Sequence, residues 1–299
     1  MKFKDLILAG AGVLALVGPA FQAEAQQQGK PNVYIDYFWR PSNVNFNYAE
    51  TLRNNVMEVI NETDRVELID VDSQSALKVE KERRESGDLG TGEELDLDRI
   101  AVMKEEGANA LIQGRITSLN IVRNTPKSGN VYYDGTINYT LKAIDPNTGK
   151  IIATKTITAG DDMLNFQTAD TPEGAAMNLC KAARRGVRSF IEEAFPINAT
   201  ILEVAESKGN DIKSVYISVG SANGAKEKNK FTINVEREIA GRLSTKMIGE
   251  LEIKEVQGDD ISLAEVKKGG KELKEAMDNG QTITLKSKVR KENIKVNIF

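Results

Sequence analysis

The sequence predicts an α+β protein: a mixed sheet flanked by helices, followed by a small, mostly β barrel or sandwich. Three observations carry this. Between Pro31 and Phe195, strand-like alternation takes turns with apolar residues spaced three and four apart. Beyond Pro196 the helical period almost vanishes, and short apolar runs follow one another between Gly, Asn and Asp. The chain of 299 residues is long enough for two modest domains. The expected division is a signal peptide over 1–25, a short tail over 26–30, an α/β domain over 31–195 and a small β domain over 196–299.

The first strand is read from Val33, Ile35 and Tyr37 alternating with Tyr34, Asp36 and Phe38, residues bulky enough that both faces should be covered. Asn47 with Glu50 three residues on is a capping-box-like start for a helix with the stripe Ala49, Leu52, Val56, Val59 and Ile60. Val66 to Val71 is a short apolar strand. Ser73 opens a second helix, and a third over Leu95 to Glu106 is closed by Gly107. Ala108 to Ile121 is the next strand, and a turn around Pro126, Ser128 and Gly129 folds it into a hairpin. Ile137, Tyr139, Leu141 and Ala143 then alternate with Asn138, Thr140 and Lys142, the signature of a sheet with one wet face. Asp145 to Gly149 turns into a strand over Lys150 to Thr158. Thr171 as cap and Pro172 at the first position start a long helix. Its stripe is Ala176, Leu179, Cys180, Ala183, Val187, Phe190, Ile191 and Ala194. In the second half, strands are expected at 199–204, 214–219, 230–235, 246–256 and 282–288, with one short helix over 271–277.

Composition narrows the chemistry. The 40 Lys plus Arg and 44 Asp plus Glu leave a formal charge of -4, too balanced for a nucleic-acid partner recognised by bulk field. There is no histidine and one cysteine, which removes Ser-His-Asp and Cys-His nucleophiles, His metal sites and Cys-cluster zinc sites. Nothing in the carboxylate spacing selects a hydrolytic pair. No catalytic set, cofactor or metal site is therefore expected. Cys180 sits on the apolar stripe of the long helix and reads as a buried structural thiol.

The first 25 residues carry Lys2 and Lys4, an apolar run from Leu6 to Gly18, then Pro19 and Ala23-Glu24-Ala25 before Gln26. That is the layout of a secretory signal peptide with a small-residue cleavage site. The apolar run is shorter than the roughly 20 residues of a membrane-spanning helix. No integral membrane segment is expected, and no cysteine near the cleavage site offers a lipid acceptor. The expectation is a soluble, exported, periplasmic protein.

Several segments carry a family likeness: the strand NVYIDYF, the helix YAETLRNNVMEVI, the strand RVELID, GANALIQGRIT after a helix end, TLKAIDPNTGKIIATKTIT and the closing helix AAMNLCKAARRGVRSFIE. Over residues 31–195 the chain resembles the CsgG family, the curli production and secretion components, with its anticodon-binding-like core. YISVGSANGAKEKNKFTINVE and IGELEIKEVQGDDISLAEV resemble the C-terminal β module of flagellar assembly protein T. The resemblance implies an assembly or secretion accessory at the outer membrane and periplasm. The curli channel is lipidated and contributes two membrane hairpins per subunit; this chain has neither the cysteine nor the hairpins. The adaptor use of the fold is therefore the leading expectation, with envelope or secretion-system proteins as partners and a possible homo-oligomer. A secretion-channel component and a glycan-binding module or envelope hydrolase are the alternatives.

Two groups are candidate partner-binding sites. Six of the nine Phe, seven Tyr and one Trp fall between Tyr34 and Tyr48. Within them, Phe38, Trp39 and Phe46 either flank an exposed docking loop or close the end of the sheet. On the long helix Lys181, Arg184, Arg185 and Arg188 share a face, either solvated or meeting an acidic partner. The glycines of 87–92 and of 220–226 match no phosphate-binding pattern. The stretch Glu85 to Asp98 reads as an acidic loop.

Overall fold

The computed structural model describes residues 29–70, 107–127, 129–160 and 168–290. The expected signal peptide, the expected second and third helices and the stretch read as an acidic loop, with its glycines, lie outside the described residues. The chain is α+β, built on two sheets.

The first sheet holds β1 (Asn32–Trp39), β2 (Glu67–Asp70), β3 (Ala110–Asn124), β4 (Tyr132–Ile144) and β5 (Ile151–Ala159), in the order β2-β1-β3-β4-β5. β1 is parallel to both neighbours, and the β3-β4-β5 meander is antiparallel. Two helices, α1 (Phe46–Thr63) and α2 (Pro172–Ala194), share one hydrophobic cluster with the sheet. That cluster takes Val33 and Ile35 from β1, Ile112 and Ile116 from β3, and Ile137, Tyr139 and Leu141 from β4. The expected stripes of both helices are buried, and all of their residues but Ala176 belong to this cluster, Cys180 among them.

Helix starts and turns follow from local chemistry. Asn45, not Asn47, caps α1: its backbone is extended and its side chain accepts from the Asn47 N–H. The capping box expected at Asn47 is thus displaced by a stronger cap two residues earlier, which leaves Asn47 inside the first turn. Thr171 caps α2 as expected, accepting from the Gly174 N–H at 3.1 Å with Pro172 next. The Asp145 turn is an Asx turn: its carboxylate accepts from the Asn147 N–H at 2.8 Å and the Thr148 hydroxyl at 2.7 Å.

The second sheet is antiparallel throughout. Its strands are β6 (Asn198–Ala199), β7 (Ile201–Lys208), β8 (Asp211–Ile217), β9 (Lys230–Ile239), β10 (Arg242–Val256), β11 (Ser262–Lys268) and β12 (Thr282–Ser287), in the order β6-β12-β9-β10-β11-β8-β7. β6 and β7 are one strand interrupted at Thr200. Ala199 pairs with Leu285 of β12, and Ile201 with Ile217 of β8, so the sheet curls until both ends meet on that strand. A separate cluster fills it, with Ile212, Val215, Phe231, Ile233, Leu251 and Leu285 at its centre. The short helix α3 (Gly270–Asp278) adds Leu273. β11 is a strand that apolar patterning does not reveal, because two of its inward positions hold Ser262 and Ala264.

A buried polar cluster joins the two sheets. Arg65, just before β2, donates to the Phe195 carbonyl at 3.1 Å and to the Ser287 hydroxyl at 3.0 Å. Its guanidinium lies 4.0 Å from the Glu192 carboxylate of α2. That carboxylate also accepts from the Arg290 N–H at 2.7 Å. Burial lowers the Arg65 pKa below the ordinary arginine value, against the opposing pull of Glu192. Nearby, the Lys226 amine donates to the Glu62 carbonyl at 2.7 Å. Gly224 approaches so closely, at φ +72°, that a Cβ there would stand 2.0 Å from the Asp64 carbonyl oxygen. The loop over 220–226 is thus a contact between the sheets, which gives its glycines a structural role.

Candidate functional site

The site grows from an irregularity in β1. Its register with β3 shifts between Ile35 and Phe38. A bulge leaves carbonyls without ladder partners. Arg53, buried on the inner side of α1, donates to the Asp36 carbonyl at 3.1 Å and reaches the Ile35 carbonyl at 3.4 Å. Its guanidinium also stacks over the Tyr37 ring, 4.9 Å from the centroid. A cation from the helix therefore holds the bulge in shape. The sequence signal was available: Arg53 sits among Leu52, Val56 and Ile60, where a charge has no reason to be unless a buried acceptor needs it.

Beyond the bulge, consecutive side chains diverge. Phe38 turns into the core, 7% exposed, stacked against Tyr139 with centroids 6.4 Å apart and lying on Gly114. Phe38 thus follows the sheet-closing alternative, because neighbouring strand residues point to opposite faces and Trp39 takes the other one. Trp39 is half-buried and paired with Arg115 of β3, whose guanidinium lies 4.1 Å from the ring centroid. Arg40 donates to the Val44 carbonyl at 2.6 Å and stands 5.6 Å from the Phe46 ring. Phe46, the first residue of α1, is 42% exposed. Two accessible aromatic rings at the carboxyl end of β1 are each held by an arginine, and register rather than composition reveals Arg115 as a member.

The register carries the patch across the sheet. Trp39 pairs with Arg115, Arg115 with Thr140, and Thr140 with Thr156 of β5. The Thr140 and Thr156 hydroxyls are 3.1 Å apart. This row crosses the wet face read from the sequence, opposite the side covered by α1 and α2.

The basic face of α2 divides. Arg184 bonds Glu58 at 2.9 Å and also Glu62 of α1, and Arg188 lies 3.7 Å from Glu62. Partial burial alone would lower the Arg184 pKa, but the hydrogen bonds that it donates to Glu62 and Glu58 outweigh it and leave it raised. Of the two readings of this face, Arg184 and Arg188 meet acidic residues, and α1 itself supplies them. Lys181 and Arg185 remain exposed on the far side. Among the described residues no three His, Cys, Asp or Glu side chains gather closely enough to hold a metal ion. No described helix is long and apolar enough to cross a membrane.

No family model matches this sequence, and no curated protein matches it. Among solved structures the chain is similar to the PelC dodecamer from Paraburkholderia phytofirmans, at 9% identity and a TM-score of 0.32 over 56% of this chain and 88% of that one. It is similar to lipoprotein GNA1162 from Neisseria meningitidis, at 12% identity and 0.31 over 44% and 84%. The C-terminal domain of LpoB from Salmonella enterica gives 12% and 0.28 over 44% and 84%.

Proposed function

We propose that the protein is an exported, periplasmic CsgG-like adaptor that acts by protein–protein contact, without catalysis, in assembling or serving an envelope structure. The observation that carries the proposal is the two aromatic–arginine pairs near the carboxyl end of β1, Trp39 with Arg115 and Phe46 with Arg40. Trp, Tyr and Arg dominate binding hot spots because they bury large area at low entropic cost. Here two rings are already fixed by their arginines, so little ordering remains to oppose association. The leader sequence and the CsgG resemblance of residues 31–195 support the compartment and the class. Crosslinked pull-down from envelope extracts, run beside a Trp39→Ala/Phe46→Ala variant, tests it. An envelope protein enriched by the parent and lost in the folded variant is the expected result; equal enrichment by both counts against it.

A further inference from the structure

We propose that the outer edge of β5 is a self-association surface on which two copies of this chain pair antiparallel about a two-fold axis through Thr156. β5 ends the first sheet: β4 occupies one side, and no described strand pairs with the other. An unpaired strand edge is a template for another strand unless proline, charge or a short length blunts it. The segment IIATKTITA has nine residues, no proline and six β-branched side chains. Its one charge is turned back, since Lys155 Nζ donates to Ser189 Oγ of α2 at 3.1 Å. Ile151 and Ile152 are 57% and 41% exposed. The helix brings small residues to this strand, with Gly186 against Ile157 and Ser189 at Lys155.

The edge is complementary to itself. An isologous antiparallel pair must oppose residues of the same face. Thr154, Thr156 and Thr158 lie on one face of β5, Lys155, Ile157 and Ala159 on the other. Centring the pair on Thr156 opposes Thr154 with Thr158, Lys155 with Ile157 and Ala153 with Ala159. No like charges meet, whereas a pair centred on Lys155 would oppose two lysines. The Thr140–Thr156 contact within one copy would continue as a four-threonine row across the axis. The same register places both Trp39–Arg115 patches on one face of a ten-stranded sheet, about 34 Å apart at about 4.8 Å per strand.

Disulfide capture on the whole chain tests both pairing and register. Across the axis, Thr156→Cys brings its two sulfurs within bonding reach, as directly opposed Cβ atoms lie about 4.5–5.5 Å apart. The native thiol does not compete: Cys180 is buried, and desolvation pushes its pKa up to about 11. Air oxidation of Thr156→Cys is expected to yield a covalent dimer at least tenfold faster than Thr154→Cys. Mixed Thr154→Cys and Thr158→Cys chains should cross-link with each other. Light scattering of the parent should give twice the chain mass, and Thr156→Lys should restore the single mass with an unchanged circular dichroism spectrum. A parent of single-chain mass, or Thr156→Cys cross-linking no faster than Thr154→Cys, overturns the proposal.

Discussion

Tyr139 shows how much one side chain can hold and how little its polar atom contributes. The ring is fully buried between Phe38 and the helix that carries Cys180, yet its hydroxyl finds no hydrogen-bond partner among the described residues. Burial pushes its pKa well above the usual tyrosine range, with the nearby Cys180 adding in the same direction. A desolvated hydroxyl without a partner costs about 1–3 kcal/mol, so its removal with the ring kept should be favourable. Tyr139→Phe is expected to raise unfolding stability by about 1 kcal/mol in a urea titration; a loss of that size would mean the hydroxyl has a partner. The same scale explains Phe38 and Trp39. Alternation dictates that adjacent residues part, but the bulge before them decides which one goes inward, and no one-dimensional pattern records a bulge.

At the scale of elements, the cluster of Arg65, Glu192 and Ser287 fastens α2, the entry to β2 and the last described strand together. Removing one member of a buried ion pair strands the other without compensation, at a cost of about 3–5 kcal/mol. Glu192→Ala is accordingly expected to lose about that much in urea unfolding, while Arg65→Met/Glu192→Leu recovers most of it. Elements whose inward residues are large were legible from the sequence: the stripes of α1 and α2, the β4 alternation, the Thr171-Pro172 start. β11 was not, since Ser262 and Ala264 fill its inward positions and Ser262 spends its hydroxyl on the Val219 carbonyl at 2.7 Å. Glu58 and Glu62 were likewise visible as residues. Their pairing with Arg184 and Arg188 depends on how two helices lie side by side, which the spacing within either helix does not encode.

For the whole molecule, the contact between the two sheets determines whether they unfold together. It combines the Arg65 cluster with the close approach of Gly224 to Asp64. Gly224→Ala places a methyl group inside the contact distance of a carbonyl oxygen and forces a left-handed backbone on a residue that resists it. Calorimetry of this variant is expected to resolve two transitions where the parent shows one; a single transition lowered in temperature would mean that the sheets stay coupled.

The strand interrupted at Thr200 has a consequence for how the chain reaches this state. It is the first strand of its sheet to leave the ribosome, yet its opening residues need β12, the last described strand, as their partner. Closure is a contact between distant parts of the sequence, so loop entropy must be overcome before it rewards the chain, and such contacts form late. Until then the growing sheet has two open margins, Ile197 and Arg65 lack Ser287, and the hydrophobic filling is only partly enclosed. A chain halted before residue 282 would carry nearly all of its apolar residues and none of the closing seam. Such nascent intermediates are the ones that need a chaperone during synthesis.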